Sequence, residues 1–98
     1  MEQLEKMLAK EPNDTFLLYG LGLECKKANQ PRQALEYLQR VIALDPGYCY
    51  AYHQMGLIRE SLDDLEGARQ AYCSGIEAAH KKGDQHAQGE IEAALNML

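Results

Sequence analysis

The stretch Pro46-Gly47-Tyr48-Cys49-Tyr50-Ala51-Tyr52-His53-Gln54-Met55-Gly56 places tyrosines at 48, 50 and 52. Alternation of this kind is the pattern of a β-strand with one aromatic face. On a helix, at about 100° per residue, the same three rings point in different directions and do different work. The rest of the chain decides between the two readings.

Displacing the sequence by 34 residues lays Pro12 on Pro46, Gly22 on Gly56, Leu23 on Leu57, Ala34 on Ala68 and Ile42 on Ile76. Residues of similar type coincide as well: Phe16 with Tyr50, Leu21 with Met55, Leu38 with Tyr72 and Glu11 with Asp45. The opening segment joins in, with Leu4, Met7, Leu8 and Pro12 falling on Leu38, Val41, Ile42 and Pro46. A period of this length marks stacked supersecondary units. Within each unit the apolar spacing predicts two helices. The first pair is expected near 14–27 and 31–44, the second near 48–61 and 65–81, and a last helix over 84–98.

The ends of these segments carry helix punctuation. Asp14 and Asp64 stand where a carboxylate accepts the first free backbone N–H groups. Pro31 suits a first helical turn, where its missing N–H is no loss. Glu36 and Arg40, like Glu77 and Lys81, stand four apart and are expected to pair across one turn. In the last helix Ile91, Ala94, Leu95 and Leu98 form the apolar stripe, while Gln85, Gln88, Glu90 and Glu92 face outward as a solubilising cap. One domain follows: residues 1–11 a half-repeat helix, 12–46 the first repeat, 47–82 the second, and 83–98 the capping helix.

Composition narrows the function classes. At 98 residues the chain is one small domain that buries about 60–65% of its unfolded surface. Net charge is −5, with seven acids and six bases in residues 1–46 but eight acids and four bases in residues 47–98. An acidic chain lacks the field that gathers phosphate backbones, so no nucleic-acid partner is expected, including for a helical-pair repeat of the kind that reads RNA. The longest apolar run, residues 16–23, is too short to span a bilayer and contains two glycines, so no membrane partner is expected either. Three cysteines, at 25, 49 and 73, cannot all pair within the chain and are not clustered as metal ligands. With Met1 leading straight into Glu2-Gln3-Leu4-Glu5-Lys6 rather than a signal core, a reduced cytoplasmic setting is expected.

The repeating pattern resembles the tetratricopeptide repeat family, whose consensus runs W-x2-L-G-x2-Y, then A-x3-F, then P. The first repeat supplies Leu18-x2-Leu21-Gly22-x2-Cys25, Ala34-x3-Leu38 and Pro46. The second supplies Tyr52-x2-Met55-Gly56-x2-Arg59 and Ala68-x3-Tyr72. The resemblance implies an all-α fold, a right-handed superhelical stack of antiparallel helix pairs. It accounts for Gly22 and Gly56, each costing about 1 kcal/mol mid-helix, as points of close approach between paired helices. Ala34 and Ala68 are the small residues facing them. Three departures stand out. His80 replaces the closing proline, so the final helix of the pair is expected to run longer. Arg59 occupies a packed position, where its stem packs and its head snorkels or finds an acid. Gly75 falls where the first repeat has Val41, a weak spot in its helix.

The family holds peptides or partner proteins on its concave side, lined by the first helix of each pair. Tyr52, Met55, Gly56 and Arg59 share the packing face of one such helix, and Tyr48 sits at the turn, nearer the core side. Tyr50, His53, Leu57 and Glu60 share another face, with Phe16, Tyr19, Leu23 and Lys26 as their counterparts one repeat earlier. These eight are the candidate binding residues. Members that grip the carboxy-terminal tails of chaperones use a clamp of lysines, asparagines and an arginine. The matching places here hold Tyr19, Leu23, Gln54, Asp84 and Ala87, with no cation among them. An apolar or mixed segment, helical or basic, suits an acidic aromatic groove better.

The expected function is therefore a non-catalytic interaction module for a peptide or partner protein, with self-assembly into a homo-oligomer through the same groove as the alternative. No catalytic residue, metal or cofactor is expected. Cys49 and His53 lie four apart on one helix, but two ligands make no zinc site, and His80 and His86 belong to other elements. A half-buried thiol beside a surface imidazole accounts for the pair.

Overall fold

The computed structural model describes all residues, 1–98, as six α-helices and no strand. They are α1 (Glu2–Lys10), α2 (Thr15–Lys27), α3 (Pro31–Leu44), α4 (Cys49–Ser61), α5 (Leu65–Lys82) and α6 (Gln85–Asn96). Helices α2 and α3 form one antiparallel pair and α4 and α5 the next, with α3 against α4 joining the pairs and α6 closing on α5. The first helices of the units, α2, α4 and α6, also touch in sequence along one side. The shortest dimension of the molecule, 18 Å, is the thickness of two helix layers. No helix is long and apolar enough to cross a membrane.

Local chemistry sets the boundaries. Asp14 accepts from the N–H groups of Phe16 and Leu17 at 2.9 and 3.2 Å. Asp64 accepts from Gly67 at 2.9 Å and Asp84 from Ala87 at 3.0 Å. Each such cap is worth about 1 kcal/mol. Pro31 is the first residue of α3. Within each pair the chain reverses through a left-handed residue, Asn29 (φ 60°) after α2 and Asp63 (φ 61°) after α4. These positions are 34 apart, and each is followed by the same turn bond to the carbonyl five residues back. Gln30 N–H donates to Cys25 O at 2.8 Å and Asp64 N–H to Arg59 O at 2.9 Å. Gly83 (φ 73°) repeats the device after α5, with Asp84 N–H donating to Ala79 O at 2.9 Å. With no proline to stop it, α5 reaches 18 residues against 14 in α3.

Packing follows the repeat register. Leu18, Leu21, Ala34 and Leu38 are fully buried in the first pair, and Ala68 and Tyr72 in the second. A Cβ on Gly22 would stand 2.9 Å from Leu38 Cδ2 and 3.5 Å from the Ala34 carbonyl oxygen. On Gly56 it would stand inside the Tyr72 ring. The close approach is thus made mainly by the large side chain at the A-x3-F position, with the small alanine letting the helix come near. Tyr72 spends its hydroxyl on α4, donating a hydrogen bond to Glu60.

Three expectations change. Gly75 is no weak spot: it is buried, and a Cβ there would meet Tyr52 Cβ at 2.9 Å and Ile91 Cδ1 at 3.1 Å. The glycine lets α4 and α6 close on α5. Tyr52 therefore packs beside Gly75 rather than Gly56, and its half-buried ring borders a cleft lined mainly by α5. Arg40 does not pair with Glu36; it donates to the Pro12 carbonyl at 3.3 Å and lies 6.0 Å from the Tyr37 ring centre. Glu77 and Lys81 do pair, at 3.2 Å. Arg59 packs its stem and reaches Asp64 at 3.3 Å.

Candidate functional site: the face of α2, α4 and α6

The eight candidate residues stand on α2 and α4, the helices that share one side with α6. Phe16, in the first turn of α2, is 74% exposed, far beyond what an apolar ring needs for folding. Tyr19, one turn on, is half-buried, with its ring 5.1 Å from that of Tyr48. Burial, and next Tyr48, push the Tyr19 phenol up, while the adjacent Gln54 amide works the other way. Leu23 is half-buried below it. Lys26, at the end of α2, crosses to the next repeat and donates to Gln54 Oε1 at 2.7 Å. Burial draws its ammonium below the usual lysine range.

On α4, Tyr50 is half-buried in the first turn. Its phenol is pushed up by burial and then by the carboxylates of Asp84 and Glu90. His53 lies edge-on to Tyr72, 6.1 Å between ring centres. Burial lowers its pKa, Glu90 raises it, and Lys26 lowers it again. The ring therefore senses a carboxylate on the helix to one side and an ammonium on the helix to the other. Leu57 is half-buried against the core around Tyr72 and Ile91. Glu60 is engaged by the Tyr72 hydroxyl. Of the set, Phe16 and Lys26 are exposed and the other six are half-buried, with Glu60 engaged by Tyr72 and Lys26 by Gln54.

Two contributors were not among the candidates. Gln54 links Lys26 and Tyr19 across the repeats; helical spacing sets it beside His53 rather than on the same face, so spacing gives no signal for it. Glu90 was assigned to the solvent face of α6, yet its charge reaches both Tyr50 and His53. It also contacts His86 one turn back.

No group of three or more His, Cys, Asp or Glu side chains comes together to hold a metal. Cys49 and His53 do not form a pair. The Cys49 sulfur is buried 3.9 Å from Asp84 Oδ2, and burial, then Asp84, raise its pKa away from the reactive thiolate. His53 turns instead to Tyr72.

Comparison with known proteins agrees with this architecture. Residues 15–48 and 50–82 each match the tetratricopeptide repeat pattern. A TPR repeat-containing protein from Pseudomonas aeruginosa is 39% identical over 98 residues, covering 100% of this chain and 93% of that one. A solution structure of a protein from Bordetella parapertussis superposes with a TM-score of 0.86 at 34% identity, covering 98% of this chain and 84% of that one. A heat-shock protein cognate co-chaperone from Aspergillus fumigatus is 34% identical over 94 residues, 89% of this chain but 28% of that protein. The 34-residue register, the recurring glycine contacts within each helix pair and a relative matched along nearly its whole length lead to one assignment: the chain belongs to the tetratricopeptide repeat family.

Proposed function

We propose that the shared face of α2, α4 and α6 is a groove that binds an extended or helical segment of a partner protein. A protein-interaction role in general follows from the family and its relatives. The finer reading rests on one observation: Phe16 is 74% exposed one turn from the half-buried Tyr19 on α2, with the half-buried Tyr50 at the matching place on α4. Exposed apolar clusters of this kind are the mark of contact surfaces, and tyrosines cover a ligand at low entropy cost. Binding the carboxy-terminal tail of a chaperone by the cationic clamp is not part of the reading, despite the likeness to a co-chaperone. The clamp places hold Tyr19, Leu23, Gln54, Asp84 and Ala87, none of them a cation.

The test is affinity capture with wild-type protein beside two variants, followed by quantitative mass spectrometry. Phe16→Ala with Tyr50→Ala alters the groove; Gln70→Ala with Cys73→Ser alters exposed residues of α5. The groove variant is expected to lose the captured partner while the α5 variant retains it. Equal capture by all three would overturn the groove reading. Recovery of the chain itself as sole ligand, with concentration-dependent sedimentation, would favour self-assembly.

A further inference from the structure

Lys26 and Glu60 occupy the same position of successive repeats, 34 residues apart. Their fates differ because of the residue each meets. In the second pair the Tyr72 hydroxyl takes the Glu60 carboxylate and holds it. In the first pair the counterpart of Tyr72 is Leu38, which has no hydroxyl to offer. Lys26 reaches across to α4 instead, where its one partner is the neutral Gln54 amide. It takes part in none of the five ion pairs of the molecule. An ammonium has three donors, and two remain available here.

The opposite wall carries the opposite sign. Glu90 on α6 pairs with the His86 imidazole, a partner that is itself open to solvent, and its charge is felt at Tyr50 and His53 on α4. The aromatic floor therefore runs between a cation on α2 and a carboxylate on α6, with α4 between them.

We propose that the groove selects a segment of mixed charge, in which an acidic side chain meets Lys26 and a basic side chain meets Glu90 across an apolar centre. This rests on the groove reading above and adds to it the charge order of the ligand. Neighbouring helices lie about 8–10 Å apart, so α2 and α6 are separated by roughly 16–20 Å. An extended chain covers that in about five or six residues. Complementary charges at the two walls fix register and reject ligands of the wrong order, which is the main service of charges at an interface.

A library of random decapeptides anchored to beads by their carboxyl ends, so that acids come from side chains alone, is screened with fluorescently labelled full-length chain. Wild type is expected to enrich peptides with one acid and one base about five or six residues apart. Lys26→Glu is expected to replace the selected acid by a base, and Glu90→Lys to replace the selected base by an acid. On the winning peptides Lys26→Gln weakens binding about three- to tenfold, with an unchanged melting curve. Winners without that charge pair, or an unchanged selection by Lys26→Glu, overturn this inference while leaving the groove in place. Absence of any captured bead, or winners bound equally by the Phe16→Ala, Tyr50→Ala variant, overturns the groove reading itself.

Discussion

Gly56→Ala is the substitution on which local and tertiary physics disagree most sharply. In a helix interior alanine is favoured over glycine by about 1 kcal/mol, so the isolated helix gains. The new methyl group, however, would occupy the space of the Tyr72 ring, which is 0% exposed and hydrogen-bonded to Glu60. Forcing a ring aside in a packed core costs about 1–3 kcal/mol. Loss of a hydrogen bond to a carboxylate adds about 1.5–3 kcal/mol. Tertiary terms win, and a net destabilisation of about 2–4 kcal/mol is expected. For a domain of this size each 1 kcal/mol moves Tm by roughly 4–8 °C, so the variant should melt at least about 8 °C lower by circular dichroism. Gly89→Ala supplies the control, since a Cβ there meets nothing within 4 Å; that variant should gain about 1 kcal/mol. Replacing Tyr72 by leucine, the residue at the matching place in the first repeat, should reduce the cost of Gly56→Ala by more than about 1 kcal/mol in a double-mutant cycle. A Gly56→Ala protein as stable as wild type would refute the assignment of this glycine to the helix contact.

Further outcomes follow from the turns, caps and titrating groups. Asn29→Gly and Asp63→Gly relieve left-handed backbone at matching positions and should each raise stability by about 0.5–1 kcal/mol in urea unfolding, since even asparagine and aspartate are less at ease there than glycine. Asp64→Ala removes both the cap of α5 and the partner of Arg59 and should cost about 1–2 kcal/mol. Tyr72 gives the fold an alkaline limit. Its phenol is pushed far above the usual tyrosine range by burial and by the Glu60 carboxylate. Folding therefore favours the neutral form. The stability it contributes is complete below the unfolded value near pH 10 and declines as pH rises toward the folded one. Melting curves of Tyr72→Phe should lack that part of the decline, and an unchanged alkaline profile would count against the assignment.

The architecture was legible because it is written in period. One 34-residue register places Gly22 and Gly56, Ala34 and Ala68, and the turn prolines, and each recurs for a local reason that survives in the structure. Helix bounds came out within a residue or two for the same cause: caps and left-handed turns are short-range chemistry. Contacts between repeats were harder to read. Gly75 looked like a defect because its partners, Tyr52 and Ile91, belong to helices whose approach no single repeat specifies. Arg40 left its i−4 neighbour for the Pro12 carbonyl, a contact 28 residues away and invisible to helical spacing. The helices that carry the candidate binding residues, α2 and α4, were legible, yet the contacts those side chains make were not. Glu60 is engaged within its own pair by Tyr72 while Lys26 donates across to Gln54 of the next repeat, a difference that shows only when both pairs are compared in three dimensions.

The central claim, that a partner lies along the face of α2, α4 and α6, is open to direct measurement. A benzophenone-bearing residue in place of Phe16, and separately in place of Cys73 on α5, can be irradiated with the captured partner bound. The account predicts a covalent adduct from position 16, abolished when Tyr50 is replaced by alanine, and none from position 73. Adducts of equal yield at both positions, or from position 73 alone, would contradict it.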